Sequence, residues 1–189
     1  MLTLKNIESE IDKCVALADE HSYRFEIDLQ GVSCNGDPNT YIKINQTTYY
    51  EQKFNGDKSF VIDCVLPKND VCNIVIGLQH KQTSNTILQD NKIIQDQFVK
   101  ILDIRINQIS LVKNNLYFWD HSKFVMQHSG DVLKNRDGAY FNGEFMLSLE
   151  TPIFPYLSKL FQDNIKNYNV ENKFLSPEHR QELIQAVYD

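Results

Sequence analysis

The stretch that decides the fold runs from Asp90 to Asn107 and reads DNKIIQDQFVKILDIRIN. Within it apolar residues recur at every second position, which is the period of an extended strand with one buried face. The parity of these residues changes once, in the order Val99, Ile101, then Leu102, Ile104 and Ile106. A slip of one residue is what a β-bulge produces, although a strand buried on both faces would give the same pattern. Both interpretations predict a long strand in a β-sheet protein.

The same period of two occurs on both sides of this stretch, in segments that end at turn-forming residues. The predicted strands are residues 23–30, 41–45, 47–53, 59–66, 71–78 and 140–150. No helical pattern alternates with them, which disfavours a parallel sheet with crossover helices. The sequence therefore predicts a mainly β protein, built as an antiparallel β-sandwich of jelly-roll type.

Both ends of the chain show helical periodicity instead. In residues 3–20 apolar side chains recur at steps of three and four, with charges between them, and residues 153–168 repeat the pattern. Ser176-Pro177-Glu178 has the residue types that begin a helix, which would span 177–187. The first helix either packs on its own domain or serves as a docking or oligomerisation helix.

These patterns divide the chain into three predicted parts. They are an N-terminal helix over 1–22, a β-sandwich domain over 23–152 and a C-terminal helical segment over 153–189.

Composition limits the classes of partner. The 189 residues carry a formal net charge of −6, and 42% are hydrophobic. An acidic chain lacks the basic field that nucleic acids or an anionic membrane surface would attract, so neither is expected as a partner. The charges within residues 2–18 disfavour a signal peptide, and no apolar run approaches the length of a membrane span. The four cysteines form no CxxC pair; a hairpin between Cys64 and Cys72 could bring two thiols close, but a reducing compartment is the default expectation.

The acidic segment at the start of the deciding stretch is the first candidate site. Calcium prefers several oxygen ligands, and Asp90, Asn91 and Asp96 supply the right types on a presumed loop. The spacing is not that of an EF-hand. The alternative is a polar turn that faces water.

The same segment resembles the closing strands of small calcium-dependent carbohydrate-binding β-sandwich modules. In that family an acidic loop precedes a strand of the form I-x-x-I-x-I-N/D-G. The matching positions here are Lys81, Thr83, Asp90, Asp96, Ile101, Ile104, Ile106 and Asn107, with Gln108 in place of the turn glycine. The resemblance implies a calcium-assisted glycan site, with Ca²⁺ as the expected cofactor.

A related unit occurs in structural proteins of tailed phages, where a strand similar to NGEFMLSLETPIFPYL leads into a C-terminal helix. That segment is residues 142–157 here. The resemblance implies a virion component that is made in the host cytoplasm without a secretion signal.

Sugar binding needs exposed aromatic rings beside polar side chains. The aromatic candidates are Tyr49, Tyr50, Tyr117 and Trp119. The alternative is that these rings pack in the core or at its rim.

Catalysis has little support in the sequence. His121 and His128, with Asp120 and Asp131, form the one candidate pairing of a base with an orienting acid. No nucleophile elbow, P-loop or dinucleotide glycine pattern occurs. We therefore expect a non-enzymatic structural or interaction protein of a phage particle, binding other virion proteins or its own copies through the terminal helices. The alternative functions are a calcium-assisted carbohydrate-binding module and an unrecognised hydrolase.

Overall fold

A computed structural model describes residues 21–114, 122–134 and 136–159. The chain divides into two compact units, one of residues 17–151 and one that joins residues 1–16 with 152–189. In the second unit the described residues are 152–159, and 153–159 are helical. The predicted helices over 3–20 and 177–187 lie outside the described residues, as does the end of the predicted 153–168 helix. The three-part division stays a prediction.

The larger unit consists mainly of strands. Their bounds are β1 His21–Val32, β2 Asn39–Ile44, β3 Thr47–Lys53, β4 Gly56–Leu66, β5 Val71–Gln79, β6 Thr86–Gln89, β7 Lys92–Asp96, β8 Phe98–Ile106, β9 Ile109–Ser110, β10 Ser122–Met126, β11 Val132–Lys134, β12 Gly138–Ala139 and β13 Gly143–Glu150. A short 3-10 helix, Thr83–Asn85, precedes β6, and the helix α1, Leu111–Asn114, follows β9.

These strands form two large sheets and one hairpin. The five-stranded sheet has the order β12-β8-β1-β4, with β9 paired to β8, and the six-stranded sheet has the order β11-β10-β13-β5-β2-β3. β6 and β7 form a separate two-stranded sheet, and strand pairs throughout are antiparallel. The prediction of a mainly β, antiparallel fold is confirmed, whereas the jelly-roll connectivity is not.

The core lies between the inner faces of the two large sheets. On β1 the alternate residues Phe25, Ile27 and Leu29 are fully buried, and on β5 Ile74 and Ile76 are buried in the same way. Removing such side chains from water is the main force that holds two sheets face to face. The period of two in the sequence therefore identified the inward positions correctly.

The change of parity in β8 is a β-bulge. Asp28 of β1 pairs with Asp103, but the next residue, Leu29, pairs with Ile101, so Leu102 is the extra residue between them. Ile101 and Ile104 both remain buried, while Leu102 is 37% exposed. The bulge thus keeps the apolar residues of both parities in the core and turns Asp103 toward the outer face.

Two segments differ from the sequence prediction. The presumed loop from Asp90 to Asp96 is part of the β6–β7 hairpin, because Asp90 and Asn91 adopt positive φ angles of 51° and 59° and form a two-residue turn. Two further strands, β10 and β11, lie between the predicted strands, in a region for which the sequence showed no strand pattern. Both are short, and their pairing fixes their conformation: β10 pairs with the long β13, and β11 pairs with β10.

Candidate functional site

The outer face of the six-stranded sheet carries polar side chains in ordered rows. Because β2, β5 and β13 are neighbours in register, their outward residues line up across the strands. The first row is Tyr41, Gly77 and Glu144; the second is Lys43, Val75 and Met146; the third is Asn45, Asn73 and Ser148.

Gly77 determines the geometry of the first row. A Cβ atom at this position would lie 2.0 Å from Cζ of Tyr41, so the tyrosine ring occupies the space that a side chain would fill. The Tyr41 hydroxyl reaches across β5 and donates to Oε1 of Glu144 at 2.7 Å. Burial, and then the hydrogen bond to Glu144 with its negative charge, raise the pKa of Tyr41 well above 10. The phenol therefore stays protonated and acts as a fixed donor.

Lys43 completes a three-residue cluster with this pair. Its Nζ lies 3.4 Å from Oε1 of Glu144 and 4.4 Å from the centre of the Tyr41 ring. Oε1 of Glu144 thus accepts hydrogen bonds from both the Tyr41 phenol and the Lys43 ammonium group. No hydrogen bond among the described residues engages the second carboxylate oxygen, Oε2.

The third row is held by hydrogen bonds between amides. The backbone N–H of Asn45 donates to the Asn73 carbonyl at 2.7 Å, and the Asn73 N–H donates to Oδ1 of Asn45 at 2.8 Å. Ser148 Oγ donates to Oδ1 of Asn73 at 2.6 Å. These bonds fix the side chain of Asn73, and within the described part of the chain its Nδ2 has no acceptor.

These rows form an open groove of about 740 Å³, here called the sheet groove. Its lining comprises Lys43, Asn45, Gln46, Thr47, Asp70, Val71, Asn73, Val75, Glu144 and Met146. Val75 lies at its base with 4% of its surface exposed. An apolar base flanked by amide donors and carboxylate acceptors suits a ligand that has both hydroxyl groups and C–H faces.

The outer face of the five-stranded sheet is organised differently. The guanidinium of Arg105 pairs with Glu26 at 3.0 Å and with Asp28 at 2.7 Å, and it lies 3.5 Å from Asp103. Ser110 Oγ donates to the other oxygen of Asp103 at 2.7 Å. A shallow depression of about 340 Å³ lies beside this network. The charged groups of the Arg105 network bind one another, so this face is a less suitable ligand site than the sheet groove.

The predicted aromatic platform is not assembled in the sheet groove. Tyr50 packs against Phe60 with ring centres 5.0 Å apart, and its hydroxyl donates to the Val61 carbonyl at 2.8 Å, which joins β3 to β4 at the edge of the sandwich. Tyr49 lies on the same edge and is 39% exposed. Burial, and then its hydrogen bond to Cys64, raise the pKa of Tyr49. Tyr117 and Trp119 lie outside the described residues.

The predicted metal ligands lie apart. Asp90 is exposed at the turn of the β6–β7 hairpin, whereas Asp96 ends β7, roughly 15 to 20 Å along the chain. Oδ1 of Asp96 accepts from Lys81 Nζ at 2.6 Å and from Thr86 Oγ1 at 2.5 Å. The two carboxylates do not converge on one ion, and Asp96 already has a cationic partner. Their role as calcium ligands stays a prediction.

The predicted catalytic pairing is only partly described. His128 and Asp131 are exposed near the β10–β11 turn, while Asp120 and His121 lie outside the described residues. Over residues 21–114, 122–134 and 136–159, no group of three or more His, Cys, Asp or Glu side chains is arranged to hold a metal ion. Within the same ranges, no helix has both the length and the apolar character that crossing a bilayer requires.

Sequence patterns identified some of the strands that form the sheet groove, but not the groove itself. The alternation in 140–150 placed Glu144 and Ser148 on the outward side, and residues 41–45, with Tyr41 and Lys43, were predicted as a short strand. The information that was missing is the order of the strands, which places β13, β5 and β2 side by side.

Comparison with known proteins gives only distant similarity. No family model matches the sequence, and no curated protein matches it. Among solved structures, the selenomethionine form of vCBM60, described in connection with two families of calcium-dependent carbohydrate binding modules, matches with 12% identity and a TM-score of 0.40, over 66% of this chain and 89% of that chain. vCBM60 in complex with galactobiose matches with 14% identity and a TM-score of 0.40, over 66% and 96%. Neither match connects the chain with a phage particle. The geometry of the sheet groove, rather than this distant likeness, carries the functional proposal.

Proposed function

We propose that this protein is a non-catalytic glycan-binding module that holds a short segment of an oligosaccharide chain in the sheet groove. The observation that carries the proposal is the arrangement of polar rows across β2, β5 and β13. Asn73 Nδ2 offers a donor, Glu144 Oε2 offers an acceptor, and Met146, beside the buried Val75, offers apolar surface between them.

This combination matches the chemistry of a sugar ring. Each hydroxyl group both donates and accepts a hydrogen bond, and the C–H groups of a ring form apolar patches. The groove spans three neighbouring strands, which lie about 4.8 Å apart, so it has the length for more than one ring.

The test is a glycan array followed by calorimetry with the best ligand. Asn73→Ala should weaken binding by roughly 2- to 10-fold, because one hydrogen bond of about 0.5–1.5 kcal/mol is lost. Gln30→Ala is the matched control, since Gln30 is an amide on the opposite outer face that donates to Asp57 at 2.9 Å. Equal affinities of the two variants, or the absence of any glycan ligand, would contradict the proposal.

Calcium assistance is a separate proposal that follows from the sequence resemblance. It predicts that a chelator weakens glycan binding and that Asp90→Ala does the same. Asp90 is the informative position because its side chain is exposed, whereas Asp96→Ala would also break the pair with Lys81. An unchanged melting temperature on titration with Ca²⁺, together with chelator-insensitive binding, would remove this proposal.

A second candidate function is that of a structural protein of a phage particle. The observation in its favour is the β6–β7 hairpin, where Leu88, Ile93 and Ile94 are between 59% and 64% exposed. Aliphatic side chains exposed to this extent are suited to burial against a neighbouring subunit. Mass spectrometry of purified particles from the source should then find the protein, and its absence from them would exclude this role.

A further inference from the structure

The charged cluster in the sheet groove determines which glycans can enter. We infer that Glu144 is a specificity-determining residue, which neutralises Lys43 and thereby makes the groove select uncharged sugars over sugars that carry a carboxylate. The inference rests on the proposed glycan binding and concerns the ligand class of that same site.

The first step concerns the charge of the groove. Its charged lining residues are Lys43, Asp70 and Glu144, and the whole chain has a net charge of −6. The single ammonium group is 3.4 Å from Glu144 and rests against the ring of Tyr41. A uronic acid that approached Lys43 would meet the carboxylate of Glu144 and would have to displace it.

The second step concerns how firmly Glu144 is placed. Its Oε1 accepts the Tyr41 hydroxyl at 2.7 Å, and the Tyr41 ring fits into the space above Gly77. Swinging the carboxylate away from Lys43 would therefore break a hydrogen bond to a charged group and leave the phenol without its acceptor. An incoming carboxylate would have to replace this hydrogen bond as well as the ion pair before it could take the place of Glu144 beside Lys43.

The third step is the consequence of removing the charge. Glu144→Gln keeps an acceptor oxygen for the Tyr41 hydroxyl but releases Lys43 from its ionic partner. Lys43 then becomes a cation in a groove of otherwise suitable hydrogen-bonding groups, and a ligand carboxylate can pair with it.

The experiment compares matched ligands. Oligosaccharides of galacturonic acid and their carboxyl-reduced, neutral counterparts have the same length and linkage, and calorimetry gives the ratio of acidic to neutral affinity. The wild-type protein should favour the neutral ligand. In Glu144→Gln the ratio should shift toward the acidic ligand by at least about tenfold, and added salt should reduce the shift.

Two controls separate the causes. Glu51→Gln removes a carboxylate on the same outer face, where Glu51 accepts from Gln79, and it should leave the ratio unchanged. Lys43→Gln introduced into Glu144→Gln should abolish the shift, because the released cation is then absent. The melting temperatures of the variants, compared with that of the wild-type protein, report whether they keep their fold.

The possible results separate the role of Glu144 from glycan binding itself. Binding of neutral glycans with no shift in Glu144→Gln, or a wild-type preference for the acidic ligand, would overturn the role of Glu144 while glycan binding stands. Binding of no glycan, acidic or neutral, by wild type or variant would overturn glycan binding and this inference with it.

Discussion

The two outer faces of the sandwich contain similar residues but use them differently. On the five-stranded sheet Arg105 lies among Glu26, Asp28 and Asp103, and each of these carboxylates is bound by the same guanidinium. On the six-stranded sheet the polar groups are held in place by one another, yet Glu144 Oε2 and Asn73 Nδ2 remain available within the described structure.

The difference shows how a sheet face becomes a candidate binding site. A face whose charges pair fully with one another contributes to stability and offers little to a ligand. On the other face, each of these polar side chains uses one of its two terminal atoms in a hydrogen bond within the protein. The other terminal atom is left for a ligand, so the face presents preorganised donors and acceptors. The predicted variants below therefore affect stability on the first face and binding on the second.

Arg105→Ala should have the largest effect on stability. The side chain of Asp103 is 4% exposed, and without the guanidinium it would remain buried beside two other carboxylates. We expect a loss of about 3 kcal/mol in the free energy of unfolding, measured with urea, and unchanged glycan affinity. Arg24→Ala is the control, because its 51% exposed side chain pairs with Glu26 and Asp63 near solvent and should contribute less than about 1 kcal/mol. Equal losses in both variants would contradict the distinction between the two arginines.

Gly77→Ala should affect both properties on the other face. The added Cβ atom would overlap the Tyr41 ring, so the ring must move and its hydroxyl leaves Glu144. We expect destabilisation by about 2 kcal/mol, as for other overpacked sites, and a loss of glycan affinity. A variant with wild-type affinity would show that the position of the Tyr41 ring does not matter for binding.

Tyr41→Phe isolates the hydroxyl group from the ring. It removes the 2.7 Å hydrogen bond to Glu144 but keeps the ring above Gly77. The expected loss is about 1 kcal/mol of stability, smaller than in Gly77→Ala. If the two variants lose the same amount, the hydrogen bond rather than the ring packing accounts for the effect of Gly77.

The smallest expected effect is on the pH dependence of stability. The pKa of Tyr41 is raised in the folded protein above its ordinary value of 10.0. Above pH 10 the unfolded chain therefore releases this proton while the folded protein keeps it, so the contribution of Tyr41 to stability is complete below pH 10 and declines above it. The stability difference between wild type and Tyr41→Phe should be constant below about pH 9 and should shrink as the pH rises above about 10. A constant difference would mean that Glu144 and burial do not hold the phenol protonated.

Much of the fold followed from local sequence patterns. The alternation in 23–30 placed Phe25, Ile27 and Leu29 on one face, and all three are buried. The change of parity after Ile101 left a bulge or a strand buried on both faces as alternatives, and the structure shows the bulge. Strands β6 and β10 were missed, because such short strands have too few positions to show a period.

The candidate site was less accessible to sequence reasoning. The residues predicted from the sequence were isolated aromatic and acidic side chains. In the structure the Tyr50 hydroxyl donates to a backbone carbonyl at the edge of the sandwich, and Asp96 pairs with Lys81. The residues of the sheet groove come from segments far apart in the chain, as Tyr41 and Glu144 are 103 positions apart. No local pattern reveals such a neighbourhood.

Local sequence patterns were sufficient to predict most of the strands, the residues that share a face in 23–30 and 140–150, and a change of parity within β8. These properties depend on neighbouring residues along the chain, because side chains of an extended strand alternate between two faces. Only the tertiary structure decided that β2, β5 and β13 lie side by side and that Gly77 leaves room for Tyr41 to reach Glu144. Strand order depends on how distant segments bury their apolar faces together, and that is a property of the packed molecule rather than of any one segment.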